Sequence, residues 1–332
     1  MSQIKRFWCR MMQVALIVGF GVAASLLWNP VQAAEIEKIH FLIPGGAGGG
    51  WDGTARGTGE ALTKSGLLKH ASYENMSGGG GGKAIAHMIE TAERQKGTLM
   101  VNSTPIVVRS ITKVFPYSFR DLTPIAGIIA DSAVFVVQVD SKFQSWKDVV
   151  AAFKSDSKKV KIGGGSVPGD LDHIAVALAI QAAGENPKKV KYVPYDAGGK
   201  AMAGLLSGEI NVLSTGFGEA LELAKSGQIR ILAITSATRS KDAPNVPTVK
   251  ELGYDMTFAN WRGFFGAPGL SYKEAQAYAS LLRDMYATSE WETVRARRGW
   301  TNQYVPGFQF YRFLEEQEEA IGSMLRELGF LQ

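Results

Sequence analysis

The chain has 332 residues, 45% of them hydrophobic and 20% charged, the composition of a globular protein with one large or two medium domains. Its formal charge is +5, but the first 34 residues hold Lys5, Arg6 and Arg10 and no acid, so the remainder carries only +2. That balance, with basic runs as short as Lys188-Lys189 and Arg295-Ala296-Arg297-Arg298 that read as solvated helix faces, excludes a nucleic-acid partner.

In chain order, the basic residues of the N-terminus precede the apolar stretch Met11 to Trp28. Asn29-Pro30-Val31-Gln32-Ala33-Ala34 then supplies small residues suited to cleavage. This is the order of a secretory signal peptide, residues 1–34, cut after Ala33 or Ala34. The stretch sits at the lower edge of transmembrane length, so an uncleaved anchor is the alternative; no later segment is long and uncharged enough to cross a bilayer. The single cysteine, Cys9, lies in the leader without a lipobox, so the mature chain has no disulfide and no thiol chemistry.

From Glu35 onward, β-rich runs alternate with segments of helical period, the signature of an α/β fold with a parallel or mixed sheet covered by helices. Strands are expected at Ile36 to Ile43, Thr98 to Ser103, Val134 to Val139, Val160 to Gly163, Val190 to Pro194, Ile210 to Ser214 and Ile229 to Thr235. Helices are expected near Thr54 to Lys64, Lys83 to Arg94, Trp146 to Ser155, Asp172 to Ala183, Lys200 to Ser207 and Gly218 to Lys225. Gln309 to Leu328 places Phe310, Phe313, Leu314, Ile321, Met324, Leu325 and Leu328 on one stripe of a final helix that packs on the first domain. Two extended runs, Ala130 to Asp140 and Met256 to Ala267, are candidates for strands crossing between domains. The expected first domain is then discontinuous, 35–131 with 261–332, around a second at 132–260, with a hinged cleft between them.

Three glycine-rich turns each follow a strand and precede a helix: Pro44 to Asp52, Ser77 to Lys83, and Gly163 to Asp170. Glycine lets a ligand approach the backbone, and the helix start beyond offers free N–H groups, so such turns suit anions; the alternative is that they merely turn tightly. Gly48-x-Gly50-x-x-Gly53 has the spacing of a dinucleotide fingerprint, with Glu74 after a second strand, but a lone match carries little and no catalytic set accompanies it. Gly164-Gly165-Ser166-Val167-Pro168 fails as a nucleophile elbow because Pro168 replaces the required glycine, leaving Ser166 as a hydroxyl donor to a ligand. His40, His70, His87 and His173 lack metal-ligand spacing, and only His173 lies beside a candidate loop. No acid, base and nucleophile trio is visible, and neither a metal nor a cofactor is expected.

These residues also carry a family resemblance. Ile43-Pro44-Gly45-Gly46 with Trp51-Asp52 and Ala55-Arg56, Glu74-Asn75-Met76, Leu122 to Ala126, Gly163 to Ser166, Asp172-His173-Ile174, Val193-Pro194-Tyr195 with Gly198-Gly199, Leu205 to Glu209, Ile231 to Ser236, Val246-Pro247-Thr248 and Asn260-Trp261-Arg262-Gly263 follow in order. Over essentially all of the mature sequence the chain resembles the tripartite tricarboxylate transporter receptor family, the TctC or Bug periplasmic binding proteins. Gly-Gly-Gly-Ser, Asp-His-Ile and Asn-Trp-Arg-Gly look closest to its tricarboxylate-receptor branch.

The resemblance implies a two-lobed type II periplasmic-binding fold with two crossover strands. It implies a monomeric, non-enzymatic periplasmic receptor that captures a small organic acid and delivers it to the membrane permease of a tripartite transporter. Carried onto this sequence, the expected ligand-binding residues of the first loop are Gly46, Ala47, Gly48, Gly49, Trp51 and Asp52, with Ser103 beside them. The second lobe is expected to add Gly164, Gly165, Ser166, Asp170 and His173, then Tyr195, Asp196 and Gly216. Trp261 and Arg262 form a further wall, Arg262 either clamping a second carboxylate or forming a hinge ion pair. Two departures stand out: the first loop is longer and poorer in proline than is usual for the family, and Asp170 and Asp172 bring negative charge to a site meant for anions unless they cap the following helix. A secreted α/β enzyme and a sensor subunit for a membrane kinase are the competing readings.

Overall fold

The computed structural model describes residues 36–331, so the leader and its cleavage site lie outside the described residues. The elements in order are β1 (Lys38–Ile43), α1 (Gly50–Lys64), β2 (His70–Asn75), α2 (Gly82–Glu90), β3 (Thr98–Ser103), α3 (Thr104–Thr112) and β4 (Thr123–Gln138). Then come α4 (Trp146–Ser155), β5 (Ile162–Gly164), α5 (Leu171–Ala182), β6 (Tyr192–Pro194), α6 (Gly198–Leu206), β7 (Val212–Gly216), α7 (Phe217–Lys225) and β8 (Ile229–Ile234). The chain closes with β9 (Ala259–Gly266), α8 (Tyr272–Met285), α9 (Ser289–Arg298), β10 (Thr301–Pro306) and α10 (Gly307–Glu327).

The strands form two sheets that share β4. In the first, β1 pairs in parallel with β2 and β3, and β9 runs antiparallel between β3 and β4, with β10 also antiparallel to β4. In the second, β5 pairs in parallel with β6 and β7, while β7 and β8 run antiparallel to β4. The change of partner is sharp: Ser132 is the last β4 residue opposite β9, at Ala259, and Ala133 is the first opposite β7, at Gly216. This is the two-lobed α/β arrangement expected from the sequence.

Alternation along β4 explains how its second half is buried on both faces. Phe135 and Val137 point into a core with Trp146, Val149, Phe153, Ile162 and Ile180, where Phe135 stacks on Trp146 at 4.1 Å between ring centroids. Val134 and Val136 point the other way, onto Leu205, Leu213, Phe217 and Leu221. The helix of the first of these cores starts where the sequence says it should: Ser145 and Asp148 form a reciprocal capping box.

The apolar stripe of α10 covers the first sheet. Phe310, Leu314, Ile321 and Leu325 are buried against Met100, Ile106, Phe119, Trp261 and Phe265. The same core takes in Ile174 and Ala177 of α5, so this second-sheet helix reaches across to the first lobe. The segment Lys83 to Arg94 departs from a single helix. It ends at Glu90 because the Thr91 hydroxyl turns back onto the His87 carbonyl at 2.6 Å, and Ala92–Arg94 continue as a 3-10 turn. Among the described residues no helix is long and apolar enough to cross a membrane.

Candidate functional site

The loop from β1 into α1 is braced from below. The Gly48 N–H (3.1 Å), Asn75 Nδ2 (3.0 Å) and Arg56 Nε (2.8 Å) all donate to the Asp52 carboxylate, and Asn75 also donates to the Gly45 carbonyl at 2.9 Å. Burial pushes Asp52 up, but these three donors outweigh it and hold the carboxyl below its ordinary pKa. Asp52 therefore shapes the loop, and with Ala47 and Gly48 it stands outside the cavity above.

That cavity lies between the lobes and leaves about 70 Å³ for the centres of water-sized atoms. Room for a handful of waters suits a small polar molecule. The first lobe contributes Gly46, Gly49, Gly50 and Trp51, whose Nε1 donates to Ser103 Oγ at 2.9 Å, and β9, at the crossing between the lobes, contributes Asn260 and Arg262. The second lobe contributes Gly165, Ser166, Asp172, Asp196, Gly198, Gly216 and Glu219. The lobes meet through glycine: a Cβ on Gly49 would stand 3.3 Å from the Ala197 methyl, and one on Gly199 would stand 3.0 Å from the Ala47 carbonyl oxygen. Ser77 also donates across this contact to Asp196 and, with Lys200, holds that carboxyl below its ordinary pKa.

Arg262 is the buried cation of the cleft. Its Nη1 pairs with Asp131 at 3.0 Å and donates to Thr54 Oγ1 at 3.4 Å, while its Nε has no partner within the protein. The guanidinium fills the space beside Gly50, where any Cβ would collide with Nη2. Asp131, in turn, accepts from the Gly218 N–H at 3.2 Å at the start of α7. Gly53 faces Arg298 of α9, so the glycines of the fingerprint spacing each have a packing reason: a left-handed turn at Gly48, Arg262 beside Gly50, and a helix contact at Gly53.

The start of α5 is already filled. Asp170 accepts from the Leu171 N–H at 2.8 Å, and Ser166 Oγ accepts from the Asp172 N–H at 3.0 Å. Asp170 is also buried in an ion pair with Arg109 of α3 at 3.1 Å, a tie from lobe to lobe. Ser166 Oγ lies 3.1 Å from Tyr192 Oη, whose hydroxyl donates to the Ser166 carbonyl, so this serine is held by protein rather than left free for a ligand.

Four further residues singled out from the sequence point elsewhere. Gly164 lies against Asp172 and Tyr192, outside the cavity. Tyr195 packs on Gly163 and Gly204. Trp261 is buried edge-on against Phe310 and Phe313. His173 is stacked between Tyr192 and Phe330, each at 4.8 Å, with Nδ1 accepting from the Gly169 N–H at 2.9 Å.

Three wall residues are not among the expected ligand-binding residues, although Asp172 stands out in the sequence as a negative charge near the site and Asn260 as part of a motif. Asn260 sits two residues before Arg262 on β9 and so shares its face; its Oδ1 accepts from the Thr104 N–H at 3.3 Å, and its Nδ2 has no partner within the protein. Glu219 accepts from the Thr215 hydroxyl and from the Gly216 N–H at 3.3 Å, a cap spacing visible in Gly216-x-x-Glu219. Asp172 lines the cavity directly. Burial pushes its carboxyl well above the ordinary range, and the nearby Glu219 pushes the same way. Glu219 is itself pushed up by burial, against the pull of Arg262.

Residues 57–330 match the family described as the tripartite tricarboxylate transporter family receptor. The chain is similar to protein BugT of Bordetella pertussis, 28% identical over 325 residues that cover 96% of this chain and 98% of that one. Among solved structures it is similar to the periplasmic binding protein BugD, with a TM-score of 0.79 at 18% identity, covering 88% of this chain and 98% of that one. It is also similar to MatC of Rhodopseudomonas palustris with bound malate, with a TM-score of 0.77 at 17% identity, covering 87% and 99%. At these identities the two structures speak for the fold.

Proposed function

Because the chain belongs to the tripartite tricarboxylate transporter receptor family, we propose that it is a periplasmic receptor that closes on a small carboxylate in the interlobe cavity and hands it to the membrane permease of a tripartite transporter. The observation that carries this reading is a pair of buried donors without protein partners, Arg262 Nε and Asn260 Nδ2, on the wall of a cavity that both lobes enclose. Buried donors of this kind cost free energy unless an acceptor meets them, and a carboxylate is the strong acceptor of the right size. The first-turn N–H groups of α1 and α6 add positive partial charge at the same place. MatC, which shares the fold, carries malate.

In this reading the protein acts as a monomer, binds without a chemical step, and is exported with its leader removed. Its lobes are 35–131 with 261–332, and 132–260. Gly46, Gly49, Trp51, Ser103, Gly165, Asp196, Gly216 and Arg262 touch the ligand. Ala47, Gly48, Asp52, Gly164, Ser166, Asp170, His173, Tyr195 and Trp261 position them.

A thermal-shift screen of the purified protein against mono-, di- and tricarboxylates, amino acids and NAD tests this. A ligand at a hundred times its Kd stabilises the fold by ~2.7 kcal/mol. A shift with an organic acid is the expected result. A response to NAD with silence from every acid would overturn the receptor reading.

A further inference from the structure

The cavity holds more acid than a trap for anions needs. Asp172 is 6% exposed and lines it from α5, and Glu219 lines it from α7. Neither carboxylate forms an ion pair: Asp172 is met by the Gly165 N–H, and Glu219 by the Thr215 hydroxyl and the Gly216 N–H. The cation of the cleft, Arg262, is already paired with Asp131. Arg298 adds a second positive charge near Asp131 and Glu219 from α9. Two cations among three carboxyl groups leave the cleft as a whole net negative when all are ionised, and Asp172 and Glu219 are the two carboxyl groups without an ion pair.

The unpartnered donors lie on the other wall. Asn260 Nδ2 and Arg262 Nε belong to residues 4% and 3% exposed, both on β9 of the first sheet. The cavity thus presents hydrogen-bond donors from β9 and carboxylates from α5 and α7. A second carboxylate on the ligand would meet Asp172 and Glu219 at close range, where like charges repel strongly because water is excluded. A cationic nitrogen would meet two acceptors.

Resting on the receptor reading, we propose that the cleft selects a zwitterion: a small amino-acid-like molecule whose carboxylate meets Asn260, Arg262 and the start of α1, and whose ammonium group meets Asp172 and Glu219. Asp172 and Glu219 are then the specificity-determining residues, setting the amino compound apart from the bare acid of the same skeleton.

Titration calorimetry with matched pairs tests this, using acetate and glycine, propionate and L-alanine, succinate and L-aspartate, and glutarate and L-glutamate. A charge-assisted contact is worth about tenfold or more in affinity, so the amino member of at least one pair should bind at least about tenfold tighter than its partner. Asp172→Asn and Glu219→Gln should each remove most of that preference, read as the ratio of the two affinities within each pair. A bare acid that binds better than its amino partner in every pair overturns the zwitterion and leaves the receptor reading standing. So does a preference that survives in whichever of the two variants melts like the parent. Silence from all eight compounds overturns the zwitterion, while the wider acid screen still judges the receptor.

Discussion

Arg262 and Asp131 sit where the chain can least spare either. Both are buried, and their 3.0 Å contact lies beside the point where β4 leaves one sheet for the other. Burial pushes the Asp131 carboxyl above its ordinary pKa, and the guanidinium of Arg262 is the strongest influence pulling it back. Removing one partner of a buried pair strands the other, which costs about 3–5 kcal/mol, whereas replacing both by apolar groups is often neutral. Arg262→Ala should therefore lower unfolding stability in urea by several kcal/mol, and the double change Arg262→Leu with Asp131→Leu should recover most of the loss. A single variant as stable as the parent would show that water already reaches Asp131.

Among the elements, the interlobe contact depends on glycine at the ends of β1 and β6. Gly49 has an extended backbone, φ −83° and ψ 172°, that any residue adopts, so its glycine answers to the neighbouring lobe and not to its own conformation. With the Cβ position 3.3 Å from the Ala197 methyl, the branches of a valine have no room when the lobes meet. Gly49→Val should melt within about 1 kcal/mol of the parent, as helix-start changes do, yet bind its acid at least about tenfold more weakly through loss of closure. Small-angle scattering with and without ligand checks this; the same compaction as in the parent would refute it.

The same elements show what is legible in a sequence. Trp146–Ser155 is readable because a capping box and an apolar stripe agree, and β3 because Leu99, Met100 and Val101 form an apolar run within six buried positions. The strand β2 is faint because it lies at the sheet edge, half exposed, with only Ala71 and Tyr73 to mark an apolar face. The helix α8 starts with a clear box, Ser271 to Glu274, but few of its residues are buried, so its period is faint. At the cavity, the motif Asn260-Trp261-Arg262 is visible, but in a strand neighbours face opposite ways. Choosing Trp261 with Arg262 pairs a core residue with a wall residue, while alternation itself points to Asn260. Asp172 is visible as a charge next to the third glycine-rich turn, whereas Glu219 lies on a helix whose approach to the cleft depends on tertiary packing, which no local pattern encodes.

For the molecule as a whole, pH acts through His173, a residue of α5 locked between Tyr192 and the C-terminal Phe330. Burial pushes the imidazole pKa down from 6.5 to about 4. The folded chain thus binds this proton later than the unfolded chain does. The contribution is complete above about pH 6.5 and is lost as pH falls toward 4, an effect of about 2 kcal/mol once partial exposure of the ring is allowed for. Buried Asp170 and Asp172 are shifted upward, so they act in the opposite sense, losing stability as pH rises through their titration. Comparing the parent with His173→Asn, whose Oδ1 keeps an acceptor for the Gly169 N–H, isolates the histidine. The parent should lose more stability than the variant between pH 6.5 and 4, and equal slopes would show the ring titrating freely.

The switch of partners within β4 also bears on how the chain first finds its shape. Ser132 and Ala259 face each other in one ladder, and everything from residue 133 to 258 lies between them. The first sheet cannot acquire β9, which joins β3 to β4, until that intervening stretch has been made and its far end has come back. Closing so long a loop in an unstructured chain is slow, and it becomes easy once the stretch has collapsed onto its own sheet and brought its ends together. On a ribosome, the N-terminal half of the first sheet therefore waits, incomplete and in need of protection, while the inserted lobe folds ahead of it.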